Sequence, residues 1–177
     1  MGMGIVQHYL AEDHARLDNL LQRVIDKQEK IDHQAYKEFR RGLLRHIAME
    51  EKVLFPTIQR LRSGTPLPLI DKLRLDHGAL GTLIMPTPTR AIIELIRTIL
   101  VSHNGLEEGP EGVYAQCEQV AGVGIEDLFR RLQAVAPVSV AAYSDSPAVF
   151  ATIRRVVMRA GYPTESLWPH QREQLQS

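Results

Sequence analysis

One cysteine, Cys117, in 177 residues leaves no intrachain disulfide and no cysteine-built zinc site to consider. No apolar run comes near the ~18 residues that a membrane-spanning helix needs, so no membrane association is expected. Neither sign of charge is in excess. The 21 lysines and arginines face 21 aspartates and glutamates, and nothing global draws the chain to nucleic acid or to an anionic bilayer. The first residues, MGMGIVQHYLAEDH, lack a basic stretch followed by an apolar one, so no signal peptide is read there. Val6 stands where a myristoylation signal requires Ser or Thr. Strict apolar–polar alternation is missing as well, except over residues 135–140, which read as a connector. These absences leave a helical, soluble chain for a reducing, cytoplasmic setting, long enough to bury a core.

What is present is helical periodicity with histidine written into it. Residues 5 to about 28 place Leu10, His14, Leu17, Leu21 and Val24 on one stripe. After a polar break at 28–34, a second helix is expected over about 35–62. Pro56 should kink it, because a proline inside a helix lacks an N–H and crowds the preceding turn. Ser63-Gly64-Thr65-Pro66 marks a turn. A third helix, about 68–85, aligns Ile70, Leu73, His77, Leu80 and Ile84. Pro86-Thr87-Pro88-Thr89 ends it. A fourth starts near Thr89 and aligns Ile92, Ile96, Leu100, His103 and Glu107, until Gly109-Pro110 stops or bends it. Four helices joined by short loops predict an all-α fold, an antiparallel up-down-up-down four-helix bundle over residues 1–120. Residues 121–177 are expected to form a C-terminal helical extension packed on the bundle. It would hold a short helix near 125–135 and a second one opened by Ser146 as N-cap with Pro147 behind it. Gly161 would stop that second helix. It carries Arg154, Arg155 and Arg159 and no acid. Packing on the bundle is the favoured role, with a dimer or partner surface as the alternative. Residues after Trp168 are expected to fray.

The stretch 44–56, LRHIAMEEKVLFP, sets His46 and Glu50 four residues apart. On a helix such residues share a face, with Cβ atoms about 6 Å apart. Phe39, Leu43, Val53 and Leu54 surround them on that face. Polar groups in an apolar stripe are costly to bury unless something satisfies them, and a metal ion would do so. The pattern occurs twice. Asp13-His14 is followed by His46 with Glu50-Glu51, and Asp76-His77 by His103 with Glu107-Glu108. The paired histidines are 32 and 26 residues apart. Midpoints between successive histidines fall at residues 30, 61.5 and 90, at or beside the three expected loops. That placement follows if the four imidazoles share one level of a bundle. Imidazole suits iron, copper and zinc, whereas carboxylates take harder or bridging roles. Two glutamates between two histidine pairs describe a dinuclear site with both carboxylates bridging. An octahedral ion there would keep about two positions free for an oxo bridge, water, O2 or NO. Ferritin-type di-iron centres use Glu-x-x-His instead.

The motifs EDHARL, RHIAMEEKVLFP, LDHGAL and SHNGLEEGP resemble those of the hemerythrin-like (HHE cation-binding) proteins, non-haem di-iron four-helix bundles. The resemblance covers roughly residues 8–110 and leaves the tail outside. It implies His14, His46, Glu50, His77, His103 and Glu107 as ligands of two iron ions in an oxo- or hydroxo-bridged pair. Oxygen-carrying members have a fifth histidine one turn before the position of His77, where this chain has Leu73. The chain is therefore similar to the four-histidine, two-glutamate variety, which includes iron-cluster repair proteins and iron or oxygen sensors. The residues ahead of His14 hold no cysteine, so the cysteine-bearing N-terminal segment of the repair proteins is not expected. One iron with a ligand fewer weighs against reversible O2 carriage and toward redox chemistry, NO binding or iron sensing.

The functional expectation is a protein that binds or senses O2, NO or iron at this centre. A di-iron enzyme for peroxide or NO detoxification or for iron-cluster repair is the alternative. A bundle holding zinc or no metal is a third reading. A small diatomic ligand is the expected partner, with a homodimer or protein partner through the extension as a further option. Asp18, one turn after His14, is the candidate for an extra ligand. Glu51 and Glu108 read as acceptors behind the histidines or as solvated charges. Asp13 and Asp76 read as surface residues, able at most to orient an imidazole. His8, about 120° around the helix from His14, is not read as a ligand, and His33 and His170 read as solvent-exposed. Cys117 reads as a small buried hydrophobe. Tyr9 and Tyr114 could approach the site, but ordinary packing is the expectation for both.

Overall fold

The structure is a computed structural model and describes residues 4–25, 30–65 and 67–167. The expected end of the first helix near 28, Pro66, and the tail from Trp168 with His170 lie outside the described residues.

Helix α1 spans Ile5–Arg23. No residue of its own start caps it. The carboxylate of Glu118 accepts instead from the N–H groups of Val6 at 2.7 Å and Gln7 at 3.1 Å, satisfying donors that every helix start leaves unpaired. Asp32 caps α2, His33–Met49, accepting from the N–H groups of Gln34 and Ala35. The helix does not break at Pro56. It widens into a π-turn over Glu50–Leu54, in which the Phe55 N–H reaches back to the Glu50 carbonyl, and resumes as α3, Phe55–Leu61. Widening just ahead of the proline relieves the crowding that Pro56 would otherwise impose on a carbonyl one turn earlier.

Helix α4, Pro68–Leu83, opens on its proline, and α5, Arg90–Glu108, is capped by Thr89. A helix that was not anticipated follows, α6, Val113–Ala121. Gly112 makes its position possible. A Cβ there would lie 2.3 Å from the Glu107 carbonyl oxygen, so only glycine lets the chain turn this tightly under the end of α5. Helix α7, Ile125–Gln133, and α8, Pro147–Arg159, complete the order. Ser146 caps α8, and Gly161 stops it at φ 93°, a conformation that favours glycine. No strand occurs among the described residues; Ile25 and Ile31 form an isolated β-bridge that closes the first turn. None of the described helices is long and apolar enough to cross a membrane.

Two apolar clusters form the core. One holds Leu17 and Leu21 of α1, Phe39 and Leu43 of α2, Leu80 and Leu83 of α4, and Ile96 and Ile99 of α5. The other holds Val6 and Leu10, Met49 and Leu54, Ile70 and Leu73, then Val113 and Tyr114 of α6. On each of the four long helices a histidine divides the residues of one cluster from those of the other. A polar layer thus lies between two apolar ones. Helix α8 packs on α4 through Ile153 and Val157, both fully buried, and leaves Arg154, Arg155 and Met158 exposed. Lys72 fastens its end, bonding to the Ala160 carbonyl at 2.9 Å and the Tyr162 hydroxyl at 3.3 Å. Arg45 holds the connector before α8 by donating to the Val135 carbonyl, and the buried Arg40 by donating to that of Ala141.

Candidate metal centre

His14 comes from α1, His46 from α2, Glu50 from the π-turn, His77 from α4, and His103 and Glu107 from α5. All six meet in the polar layer, and none is more than 6% exposed. His14, His46, Glu50 and Glu107 present ligand atoms within 4.8 Å of one another, and Glu50, His77, His103 and Glu107 do the same. Both glutamates therefore serve two groups, one oxygen to each. Glu50 Oε1 lies 3.5 Å from His46 Nε2, and its Oε2 lies 3.1 Å from His77 Nε2. Glu107 Oε2 lies 3.3 Å from His14 Nε2, and its Oε1 lies 3.2 Å from His103 Nε2.

Every imidazole turns its Nε2 inward and its Nδ1 toward a carboxylate. His14 Nδ1 donates to Glu108 at 2.5 Å, His46 Nδ1 to Asp13 at 2.9 Å and His77 Nδ1 to Glu51 at 2.8 Å. His103 Nδ1 lies 3.5 Å from Asp76. Three of these acids are fixed by a cation of their own: Asp13 by Arg16, Glu51 by Arg74, and Asp76 by Lys72 at 2.5 Å. Protonation at Nδ1 leaves the Nε2 lone pair free to ligate and sets the ring's orientation, a common arrangement behind metal-binding histidines. Asp13 and Asp76 were read as surface residues. Asp76 is fully buried and Asp13 nearly so, and both stand behind histidines. Glu51 and Glu108 take the acceptor role expected of them.

The electrostatics suit a cation. Burial opposes charge on His14, but Glu107 and Glu108 outweigh it and push the imidazole up to about 10. For His77 burial is again overcome, by Glu50 and Glu51, and the value rises to about 10. For His103 burial yields to Glu107 and Asp76, giving about 9. His46 is raised as well, against burial, by Glu50 and Asp13. Despite its burial, Glu50 is held well below the usual carboxylate range by His46 and His77. Glu50 Oε2, Glu107 Oε1 and His77 Nε2 are buried without a hydrogen-bond partner. Such orphaned atoms are rare in folded proteins, and here they face one another. An ion bound by imidazole and carboxylate satisfies all three, so the residues fit a metal ion.

Other residues fall outside the cluster. Asp18 is exposed, accepts from Gln22 and lies outside both groups of ligand atoms. Leu73 is fully buried among apolar neighbours. His8 sits on the surface beside Glu12, and His33 is the exposed first residue of α2. Cys117 is buried, its thiol pushed up to about 12 chiefly by that burial. Tyr9 packs edge-on against Phe129 as expected. Tyr114 is the correction. Its hydroxyl lies 2.6 Å from Glu50 Oε1, 3.1 Å from Glu107 Oε2, 3.2 Å from His14 Nε2 and 3.4 Å from His46 Nε2. Ordinary packing does not describe a phenol with four polar neighbours. The signal that could have found it is the helical spacing of Val113, Tyr114, Cys117 and Ala121, which puts α6 against the layer.

No curated protein and no solved structure matches the chain. The model of the hemerythrin HHE cation binding domain matches residues 6–111, more than half of the chain and all six inward residues, and the chain belongs to that family.

Proposed function

We propose that the protein holds two iron ions between His14, His46, His77 and His103, with Glu50 and Glu107 bridging them, and uses the pair to bind or sense O2, NO or iron. The observation that carries this reading is the division of each glutamate between two histidine pairs, one oxygen to each. When bound, the iron pair supplies redox-active ions with coordination positions open to a small ligand. The chain's own part is to orient and to exclude water. Three outer carboxylates, Glu108, Asp13 and Glu51, hold imidazoles by Nδ1, Asp76 stands 3.5 Å behind the fourth, the apolar clusters flank the layer, and Leu73 adds no further ligand. A cavity of about 540 Å3 between α1 and α5 is lined by His14, Leu17, Asn104 and Glu108.

The bundle topology belongs to this proposal. Cluster order along the chain reverses from α1 to α2, from α2 to α4 and again from α4 to α5. This supports the antiparallel up-down-up-down arrangement over residues 1–120, with 121–177 as an extension packed on it. A dimer or partner surface would use the exposed face of α8 with Arg154, Arg155 and Met158. The cytoplasm, where iron is available in reduced form and a lone thiol persists, is the setting this reading assumes.

Metal analysis and the visible spectrum of protein purified from iron-supplemented cells test the reading. One iron for each of the two clusters is expected, with charge-transfer absorption that His77→Ala removes. Colourless protein that stays metal-free after anaerobic ferrous loading would refute it. Reversible spectral change with NO and no turnover separates sensing from catalysis. Peroxide or NO consumption that Glu50→Ala abolishes would move the assignment to an enzyme.

A further inference from the structure

We propose that Tyr114 is a seventh metal-binding residue, its phenolate oxygen ligating the ion held by His14, His46, Glu50 and Glu107 and leaving the His77–His103 ion the more open of the two. The inference rests on the metal-centre reading above, but the residue lies outside the family's matched span, which ends at 111.

Four observations place it there. The hydroxyl is 3.4 Å or less from four ligand atoms of one group, and those atoms lie within 4.8 Å of each other. An ion held by that group is therefore within bonding reach of the phenol oxygen. Second, the contacts are one-sided, reaching both glutamates and the His14–His46 pair, with no bond to His77 or His103. The orphaned inward atoms, Glu50 Oε2, Glu107 Oε1 and His77 Nε2, all belong to the other half. Third, the ring cannot easily withdraw. Tyr114 is fully buried, its ring centre lies 5.7 Å from that of His14, and Gly112 fixes the turn two residues earlier. Glu118, one helical turn on, clamps α6 to the start of α1. Fourth, a single hydroxyl proton cannot serve two carboxylate oxygens at once, whereas a phenolate on a cation removes that competition. On binding, the O–H bond breaks, the oxygen–metal bond forms, and the proton leaves to solvent. No electron moves in this step.

The experiment compares wild type, Tyr114→Phe and Tyr9→Phe after anaerobic ferrous loading and oxidation in air, with iron content measured alongside the visible spectrum. Ferric phenolate gives an intense visible charge-transfer band whose resonance Raman spectrum shows tyrosine ring modes. The proposal expects that band in wild type and Tyr9→Phe, and its loss in Tyr114→Phe at unchanged iron content. Equal iron in all three with identical spectra would overturn it while leaving the metal centre standing. Should Tyr114→Phe fail to fold, Raman excitation of the wild-type band decides: tyrosine modes support the proposal and their absence overturns it. No iron uptake by wild type would overturn both readings together.

Discussion

Behind each inward histidine stands one acid, and three of these acids are locked by a cation. Removing such an acid leaves the ligand in place but frees its ring. Asp13→Asn, behind His46 at 2.9 Å, is expected to weaken metal binding about 10–100-fold, read by competition with a chelator, while the circular dichroism spectrum stays helical. The same residues set the pH response of metal-free protein. His14 and His77 rise to about 10 and His103 to about 9 in the fold, against 6.5 for a free imidazole. A folded value above the unfolded one stabilises the fold fully below the unfolded value and less as pH climbs through the folded one. Metal-free protein should therefore lose thermal stability between about pH 6.5 and 10, with the loss levelling off as the folded values are passed. A melting temperature flat across that window would contradict the charged imidazoles. Metal competes with those protons, so its binding should release protons and tighten as pH rises.

At the scale of elements, much was legible because the signals were local. The stripes of α1, α4 and α5 repeat at helical spacing, and Thr89 and Ser146 cap where short polar side chains are expected to cap. The convergence of the six inward residues was legible for the same reason, since His-x-x-x-Glu places both groups on one face. What escaped depended on contacts far apart in the chain. Asp76 is one residue from His77, yet only the approach of α5 and α8 shows that it is buried. Helix α6 was hidden behind Gly109-Pro110, which read as a stop or bend of α5; a tight turn through Gly112 follows and the chain becomes helical again at Val113. Pro56 marked the position of a deformation but not its form, a π-turn that opens just ahead of it. Gly112→Ala tests the turn. Its Cβ would meet the Glu107 carbonyl, so α6 must shift, at a cost of about 1–3 kcal/mol of the kind seen on overpacking. Thermal melts should show the loss, and the Tyr114 contacts should loosen with it.

For the molecule as a whole, the polar layer joins two apolar halves, and metal should bind the folded chain far better than the unfolded one. At ligand one hundred times its dissociation constant, the gain is about 2.7 kcal/mol, or roughly 5–10 °C in melting temperature for a domain of this size. Phe39→Ala, in the cluster away from Tyr114, should cost about 3–5 kcal/mol and lower the melting temperature of metal-free and loaded protein alike. Differential scanning calorimetry of both forms separates the two effects.

The near-complete burial of the six inward residues also sets a clock. An ion enclosed at this depth leaves when helices part, and the opening rate then governs exchange. Loss of metal to a chelator should proceed at a rate that stays level as chelator concentration rises. It should match the exchange of backbone hydrogens along α5. A loss rate proportional to chelator would instead mean that reagent reaches the ion through the α1–α5 cavity without waiting for the fold.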